Sequence, residues 1–219
     1  AYLSEIEAGR MALSGSYTVL RDNGHVAVWD GNYLPGQWLT EQALALAGER
    51  ARRTGLSAVA IRRNHHIGCL AALVKIAADQ GLVALIANSD PASSRAAPFG
   101  GTEAVFTPNP WALGYPAGAS PVLIDTSATI TSTSMTRTKF AAGEHFEKPW
   151  LLDAQGRPTT DPAVLENTSP RGSLLLTGGL DHGHKGYAIT LMVEALSQGL
   201  SGQGRKNPPT RWGGNTYLQ

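Results

Sequence analysis

Two adjacent histidines, His65 and His66, are the residues of this chain best suited to proton chemistry. Imidazole titrates near neutral pH, so either ring can exchange a proton with a bound small molecule. Neighbouring residues on an extended segment point in opposite directions, so one ring can face a pocket while the other packs inside. A structural alternative stays open, in which both rings cap the helix that follows.

A glycine-rich turn at residues 178–186 ends in His184, Lys185 and Gly186, just before a predicted helix at residues 187–198. Glycines let backbone amides approach an anion, and a helix N-terminus adds positive potential there. Lys185 adds a full positive charge, which suits the pyrophosphate of a dinucleotide or a carboxylate. The alternative is a flexible loop with a solvated lysine, since the turn matches neither a Walker loop nor a Gly-x-Gly-x-x-Gly motif.

Two weaker signals come from polar residues next to apolar runs. Asp125 follows such a run and precedes hydroxyl residues up to Thr129, a pattern that can bind ribose or phosphate oxygens or cap a turn. Asn109 offers an amide in a loop stiffened by Pro108 and Pro110. Taken alone, each of these signals also fits a structural role.

The histidine pair falls between elements that would position it. Residues 56–61 predict a buried strand, residues 69–80 a helix, and residues 82–86 a second strand. This is a βαβ unit, whose crossover makes the two strands parallel. Ligands of open α/β sheets bind outside the carboxyl ends of such strands, where the histidines lie. A further amphipathic helix is predicted at residues 37–53, with Thr40 as its N-cap.

Composition excludes several classes of protein. The net charge of +1 over 219 residues gives no pull toward nucleic acid or an anionic membrane, and no apolar run reaches the ~20 residues of a membrane span. The lone Cys69 cannot form an intramolecular disulfide, which fits a reducing, cytoplasmic location. The histidines lack metal-ligand spacing, and Gly-x-Ser-x-Gly is absent, so we expect neither a metal site nor a serine hydrolase.

Both ends of the chain indicate an internal segment of a longer protein. The chain opens on Ala1, and residues 215–219 have the pattern of a strand that has just begun. We therefore expect further residues on each side.

Seven segments, in chain order, resemble the malate/L-lactate dehydrogenase family that lacks a Rossmann domain. Residues 64–68 (Asn-His-His-Ile-Gly) are similar to the family's Ser-Asn-His-Phe-Gly, and residues 98–103 (Pro-Phe-Gly-Gly-Thr-Glu) to its Pro-Trp-Gly-Gly-x-Glu. The remaining matches are Asn-Pro at 109–110, Asp-Thr-Ser-Ala-Thr at 125–129, Trp-Leu-Leu-Asp at 150–153, Pro-Thr-Thr-Asp-Pro at 158–162 and His-Lys-Gly-Tyr at 184–187. A single match would mean little, but seven in order are specific.

The resemblance implies a non-Rossmann α/β fold, a mixed sheet with flanking helices similar to L-sulfolactate dehydrogenase. Residues 1–55 would belong to an N-terminal helical and substrate region, and residues 56–219 to a cofactor-binding α/β domain, each truncated at its outer end. The implied activity is NAD(P)-dependent interconversion of a small 2-hydroxy acid and its 2-oxo acid in a homodimer. Its partners would be this acid and NAD or NADP, with no nucleic acid and no membrane.

The same resemblance assigns roles to individual residues. His66 would be the catalytic residue, transferring a proton to or from the C2 oxygen of the substrate or orienting that oxygen. Three residues would line the substrate pocket: His65, Asn88 and Asn109. The nicotinamide cofactor would contact Asp125, Thr126, Ser127, Ala128, Thr129, His184 and Lys185.

Departures from the family pattern leave alternatives open. Thr107 and Pro108 replace a Gly-Thr pair, and Leu180 to His182 lengthen the glycine turn. The family's N-terminal Ser-His-Gly motif, with a second catalytic histidine, would lie before Ala1. The alternatives are a reductase of cyclic imine carboxylates, which uses the same hydride but protonates nitrogen, and an inactive cofactor-binding remnant.

Overall fold

The computed structural model describes residues 2–206, 208–209 and 211–219. The chain forms two compact units. Unit 1 consists of Ala1–Ala92, Pro110–Thr126 and Val193–Gln219, and unit 2 of Ser93–Asn109 and Ser127–Met192. Among the described residues, no helix combines the length and apolar character needed to cross a bilayer.

The strands and helices follow one another along the chain in a mixed order. The strands are β1 (Thr18–Asp22), β2 (Val26–Asp30), β3 (Ala58–Asn64), β4 (Ala84–Ser89), β5 (Pro110–Tyr115), β6 (Val122–Ser127), β7 (Leu151–Leu152), β8 (Pro158–Thr159), β9 (Ser173–Leu174) and β10 (Gly214–Leu218). The helices are α1 (Tyr2–Glu7), α2 (Gly36–Thr54), α3 (Leu70–Ala78), α4 (Thr133–Ala142), α5 (Ala163–Glu166), α6 (Gly179–His182) and α7 (His184–Glu194), and a π-helical turn follows at Ala195–Gly199.

Unit 1 is built on a sheet that, in the described part of the chain, has seven strands in the order β1-β2-β3-β10-β4-β5-β6. Strands β2 and β3 are parallel, whereas β10 is antiparallel to both of its neighbours, β3 and β4. The predicted βαβ unit is present, and β3 and β4 run in the same direction. They are not hydrogen-bonded to each other, however, because β10 from the end of the chain inserts between them.

The two faces of β3 explain why its residues form a buried strand. Val59 and Ile61 are fully buried against α2 and α3, together with Trp29, Ile86 and Leu218 from neighbouring strands. Ala58 and Ala60 face the other side, where they pack with Tyr217 and Leu196. Burial on both faces produces the continuous apolar run that predicted the strand.

Helix α2 begins earlier than its sequence predicts. Pro35 occupies the N-cap, and Thr40 lies one turn inside the helix, where its hydroxyl donates to the Gly36 carbonyl at 2.8 Å. The prediction of Thr40 as N-cap is therefore wrong. Proline is well tolerated at the start of a helix because it has no amide hydrogen to leave unpaired there.

Unit 2 has a smaller sheet and its own apolar core. In the described part of the chain this sheet has three strands in the order β8-β7-β9, all antiparallel. Among the described residues, seven buried side chains form this core, namely Ala96, Phe106, Phe146, Leu151, Leu165, Leu174 and Leu176. Helix α7 begins at His184, three residues earlier than predicted, and the predicted glycine turn contains the short helix α6.

Candidate functional site

The histidine pair occupies the connection between β3 and α3 in unit 1. Asn64, the last residue of β3, donates from Nδ2 to the His65 carbonyl at 2.8 Å. A Cβ on Gly36 would lie 2.1 Å from that same carbonyl oxygen, so the start of α2 passes directly against the histidine backbone. The connection is thus held from two sides, and it lies beyond the carboxyl end of β3 as predicted.

His65 is the buried member of the pair, with no exposed surface. Its ring packs edge-on against Trp212 with a centroid distance of 4.8 Å, and its Nε2 lies 3.8 Å from a Glu5 carboxylate oxygen. Arg10 donates two hydrogen bonds to that carboxylate. Burial lowers the pKa of His65, and the nearby Glu5 opposes this only in part. His65 is therefore packed inside unit 1, and its predicted pocket role stays a prediction.

His66 is the exposed member of the pair. Its ring stacks on Trp212 at 5.4 Å, and Tyr2 tilts against it at 5.7 Å. The Nδ1 atom is 2.5 Å from the Tyr2 hydroxyl oxygen. These close neighbours desolvate the imidazolium, which lowers the pKa of His66, and His65 lowers it further when both rings carry a proton. The arrangement gives a ring that is neutral near pH 7 and open to a ligand.

Asp125 lies near the end of β6 and reaches the start of α3. Its Oδ2 accepts a hydrogen bond from the Ala71 amide at 2.8 Å and lies 3.7 Å from the Cys69 thiol. The N-cap residue of α3, Cys69, makes no side-chain capping bond, so Asp125 provides the missing acceptor. The adjacent Thr126 is exposed on β6. Asp125 thus has a structural contact in unit 1, and its cofactor contact stays a prediction.

Asn88 connects two strands of the unit 1 sheet. Its Nδ2 donates to the Asn215 carbonyl at 3.1 Å and to the Thr216 hydroxyl at 2.8 Å, both on β10. The side chain is only partly buried. The structure therefore shows Asn88 joining β4 to β10, and the predicted pocket role is untested.

Unit 2 brings together two of the predicted cofactor segments. The Thr177 amide donates to the Ala128 carbonyl at 2.8 Å, its hydroxyl donates to the Ser127 carbonyl at 3.2 Å, and its own carbonyl accepts from the Gly186 amide at 3.0 Å. A Cβ on Gly186 would lie 2.5 Å from the Thr177 nitrogen and 2.8 Å from the Ala128 oxygen. Glycine at 186 therefore allows the backbone of residues 127–128 and the first turn of α7 to form hydrogen bonds to the same residue, Thr177.

The charged start of α7 remains open to solvent. His184 and Lys185 are both exposed, and the His184 ring lies edge-on to Phe99 at 5.8 Å. Thr129 is buried, with its hydroxyl donating to the Thr131 carbonyl at 2.7 Å. The exposed ammonium group of Lys185 lies in the first turn of an 11-residue helix, where the helix dipole is positive. This combination fits an anionic group such as a pyrophosphate.

Asn109 is fully buried in unit 2. Its Nδ2 donates to the Thr190 carbonyl at 3.2 Å, and its Oδ1 accepts from the Thr107 hydroxyl at 2.6 Å. The threonine that departs from the family pattern thus forms a local bond with this asparagine. The pocket role predicted for Asn109 is not tested by these contacts.

The neighbours of His66 were missed by sequence reasoning. Tyr2, Gln37 and Trp212 converge on residues 64–68 from distant parts of unit 1. No spacing or motif links these positions in the sequence, and only the pairing of β10 with β3 brings the segment before β10 to this loop. Among the described residues, no group of three or more His, Cys, Asp or Glu side chains could hold a metal ion.

The fold and the histidine loop define an α/β protein with a largely antiparallel central sheet and flanking helices. A family model described as malate/L-lactate dehydrogenase matches residues 1–216. The chain belongs to this family, which confirms the resemblance seen in the seven motifs.

Individual relatives agree with this membership. A malate dehydrogenase of Pyrococcus abyssi is 33% identical over 92% of this chain and 55% of its own length. An L-sulfolactate dehydrogenase of Methanothermobacter thermautotrophicus is 31% identical over 92% of this chain and 56% of its own length. The chain therefore spans little more than half the length of these curated relatives.

Solved structures confirm the predicted fold class. A malate dehydrogenase from Entamoeba histolytica superimposes with a TM-score of 0.90 at 25% identity, covering 99% of this chain and 63% of that one. A delta1-piperideine-2-carboxylate reductase from Pseudomonas syringae superimposes with a TM-score of 0.84 at 28% identity, covering 99% of this chain and 66% of that one. The fold thus occurs with both kinds of substrate that the sequence leaves open.

Proposed function

We propose that this chain is part of an NAD(P)-dependent oxidoreductase that interconverts a small 2-hydroxy acid and its 2-oxo acid. The observation that carries the proposal is the exposed ring of His66 beyond the carboxyl end of β3, next to the buried His65. Malate and L-sulfolactate, named for two of its relatives, are both 2-hydroxy acids.

In this proposal each group of residues has a separate task. When bound, the nicotinamide cofactor supplies or accepts the hydride. His66 contacts the C2 oxygen of the acid, with Trp212 and Tyr2 fixing the plane of its ring. Lys185 at the start of α7 holds a cofactor phosphate, and Ser127 to Thr129 contact the same cofactor. Asp125 and Thr126 keep their predicted cofactor contacts, and Asn88 and Asn109 their predicted pocket roles.

The same proposal includes the cofactor, the oligomeric state, the cellular location and the division of the chain into regions. We expect NAD or NADP, a homodimer and a cytoplasmic location, and residues 1–55 and 56–219 as a substrate region and a cofactor-binding region. The resemblance to the family supports the cofactor, the homodimer and the two regions, and the lone Cys69 supports the location.

A panel of substrates tests the proposal. Oxidation of NADH and of NADPH is followed by absorbance with pyruvate, oxaloacetate and sulfopyruvate, and separately with cyclic imine carboxylates. Cofactor binding is measured in parallel by fluorescence. We expect turnover with at least one 2-oxo acid. Turnover with cyclic imines alone would favour the reductase, and cofactor binding without any turnover would favour the remnant.

A further inference from the structure

Two groups contact one nitrogen of His66, and a third group contacts one of those two. The Tyr2 hydroxyl oxygen is 2.5 Å from Nδ1, and the Gly68 amide donates to Nδ1 at 3.3 Å. Gln37 Nε2 donates in turn to the Tyr2 oxygen at 2.9 Å. Within residues 2–206, 208–209 and 211–219, each hydrogen bond that reaches the His66 ring ends on Nδ1. The other ring nitrogen, Nε2, is left for solvent or a ligand.

The direction of these hydrogen bonds fixes the tautomer of the ring. A backbone amide can only donate, so Nδ1 of His66 must present a lone pair to Gly68. The Tyr2 oxygen receives a hydrogen from Gln37, and its own single hydrogen is then directed to Nδ1. A neutral imidazole carries one hydrogen, which must therefore lie on Nε2.

We propose that the Gly68 amide and the Gln37–Tyr2 pair hold neutral His66 with its hydrogen on Nε2, so that the ring offers a hydrogen-bond donor to a ligand oxygen. Tyr2 and Gln37 are positioning residues, because they act through His66. That this oxygen is the C2 oxygen of a 2-oxo acid rests on the proposed function. The tautomer itself does not depend on it.

The charges around the ring are consistent with a neutral donor. His65 is adjacent, and the Glu5–Arg10 ion pair lies against His65. In the described part of the chain, no carboxylate forms an ion pair with His66 that would stabilise its charged form. The ring therefore remains neutral over a wider pH range than a free histidine.

The tautomer favours one direction of chemistry. A donor at Nε2 stabilises the negative charge that develops on a carbonyl oxygen while hydride adds to its carbon. Removing a proton from a hydroxyl group instead requires a lone pair at Nε2. That requires a hydrogen on Nδ1, which would then face the hydrogen of the Gly68 amide. In this geometry His66 donates a hydrogen bond to the carbonyl oxygen of the ligand and polarises it. The ring has no free lone pair at Nε2 with which to remove a proton from a hydroxyl group.

Nuclear magnetic resonance of the chain itself tests the tautomer. Protein labelled with ¹⁵N-histidine is examined by long-range ¹H–¹⁵N correlation at a pH well above the pKa of His66, where the ring is neutral. The His66→Gln variant identifies the His66 signals by their disappearance. We expect an unprotonated Nδ1 and a protonated Nε2. A protonated Nδ1, or equal amounts of both forms in the parent protein, would overturn the proposal.

Variants of the positioning residues provide a second readout. Tyr2→Phe removes one donor to Nδ1, and we expect the ratio of Nε2–H to Nδ1–H forms to fall about five-fold, the effect of one ordinary hydrogen bond. Tyr115→Phe, a tyrosine on β5, is the matched control and should leave the ratio unchanged. An unchanged ratio in Tyr2→Phe would show that Tyr2 does not position His66. Absence of turnover with the expected tautomer would reject the proposed function and leave this inference intact.

Discussion

The carboxylate of Asp125 accepts a hydrogen bond from the Ala71 amide at 2.8 Å, which attaches strand β6 to the first turn of α3. Helix α3 follows the histidine loop directly, so this bond anchors the downstream side of the loop. The same aspartate begins the segment, residues 125–129, that we propose contacts the cofactor. One residue can therefore affect stability and cofactor binding through different atoms.

Replacing Asp125 should separate these two effects. Asp125→Ala removes an N-terminal acceptor of α3, and we expect a loss of about 1 kcal/mol in the free energy of unfolding. Asp125→Asn keeps an acceptor oxygen and should lose less. Urea titration measures both values. Asp79→Ala, which breaks only an exposed pair with Lys75 on the same helix, is the control and should cost under about 0.5 kcal/mol. Equal losses in all three variants would contradict the capping role.

Gly186→Ala should destabilise unit 2. The added methyl group would lie 2.5 Å from the Thr177 nitrogen and 2.7 Å from its oxygen, and backbone atoms cannot yield as a flexible side chain can. We expect a loss of about 1–3 kcal/mol. The control is Gly199→Ala in the π-helical turn, where nothing lies within 4 Å of the added group. A thermal melt in which both variants match the parent would refute the packing argument.

Lys185→Ala should weaken cofactor binding. Its exposed ammonium group lies in the first turn of α7, where positive potential favours a phosphate. Loss of one charge-assisted hydrogen bond predicts a dissociation constant about 10-fold higher or more. Titration calorimetry with NADH and NADPH measures it, with the exposed Lys148→Ala as control. An unchanged constant would exclude Lys185 from the cofactor site.

His66→Ala should lower turnover far more than cofactor affinity. If His66 contacts the reacting oxygen, its removal should reduce kcat by about 10²-fold. His25→Ala, in the turn between β1 and β2, should leave kcat unchanged. Near-parental turnover of His66→Ala, measured on a 2-oxo acid accepted by the parent, would show that His66 has no role in the reaction.

Asp90 should make the stability of unit 1 depend on pH. Burial raises the pKa of this carboxyl from 3.8 to about 6, although the Ala92 amide donates to it and lowers the value in part. The folded state therefore holds a proton that the unfolded state has released between these pH values. Folding stability from this group is fully present below pH 3.8 and is lost as pH rises to about 6.

The variant Asp90→Asn isolates that contribution. The asparagine side chain does not titrate. The free energy of unfolding of the variant, relative to that of the parent, should therefore rise across the same pH interval, by roughly 3 kcal/mol at most. Urea midpoints of both proteins are compared at matched pH, and the contributions of His65 and His66 cancel in the difference. A difference that does not change with pH would show that Asp90 titrates normally.

The strand–helix–strand segment around the histidines could be predicted from the sequence because its signals are local. Val59 and Ile61 bury one face of β3, Leu70 and Leu73 bury one face of α3, and these patterns repeat within a few residues. The structure confirms the predicted difference between a buried His65 ring and an exposed His66 ring, although both rings lie against Trp212.

The position of β10 and the surroundings of His66 could be known only from the tertiary structure. Strand pairing and ring stacking join residues far apart in the chain, and their free energy depends on contacts that no local pattern encodes. The sequence by itself therefore determined the family, the local elements and the histidine to examine. Tertiary packing decided that Tyr2, Gln37 and Trp212 surround this histidine, and with them the hydrogen-bond direction that sets its tautomer.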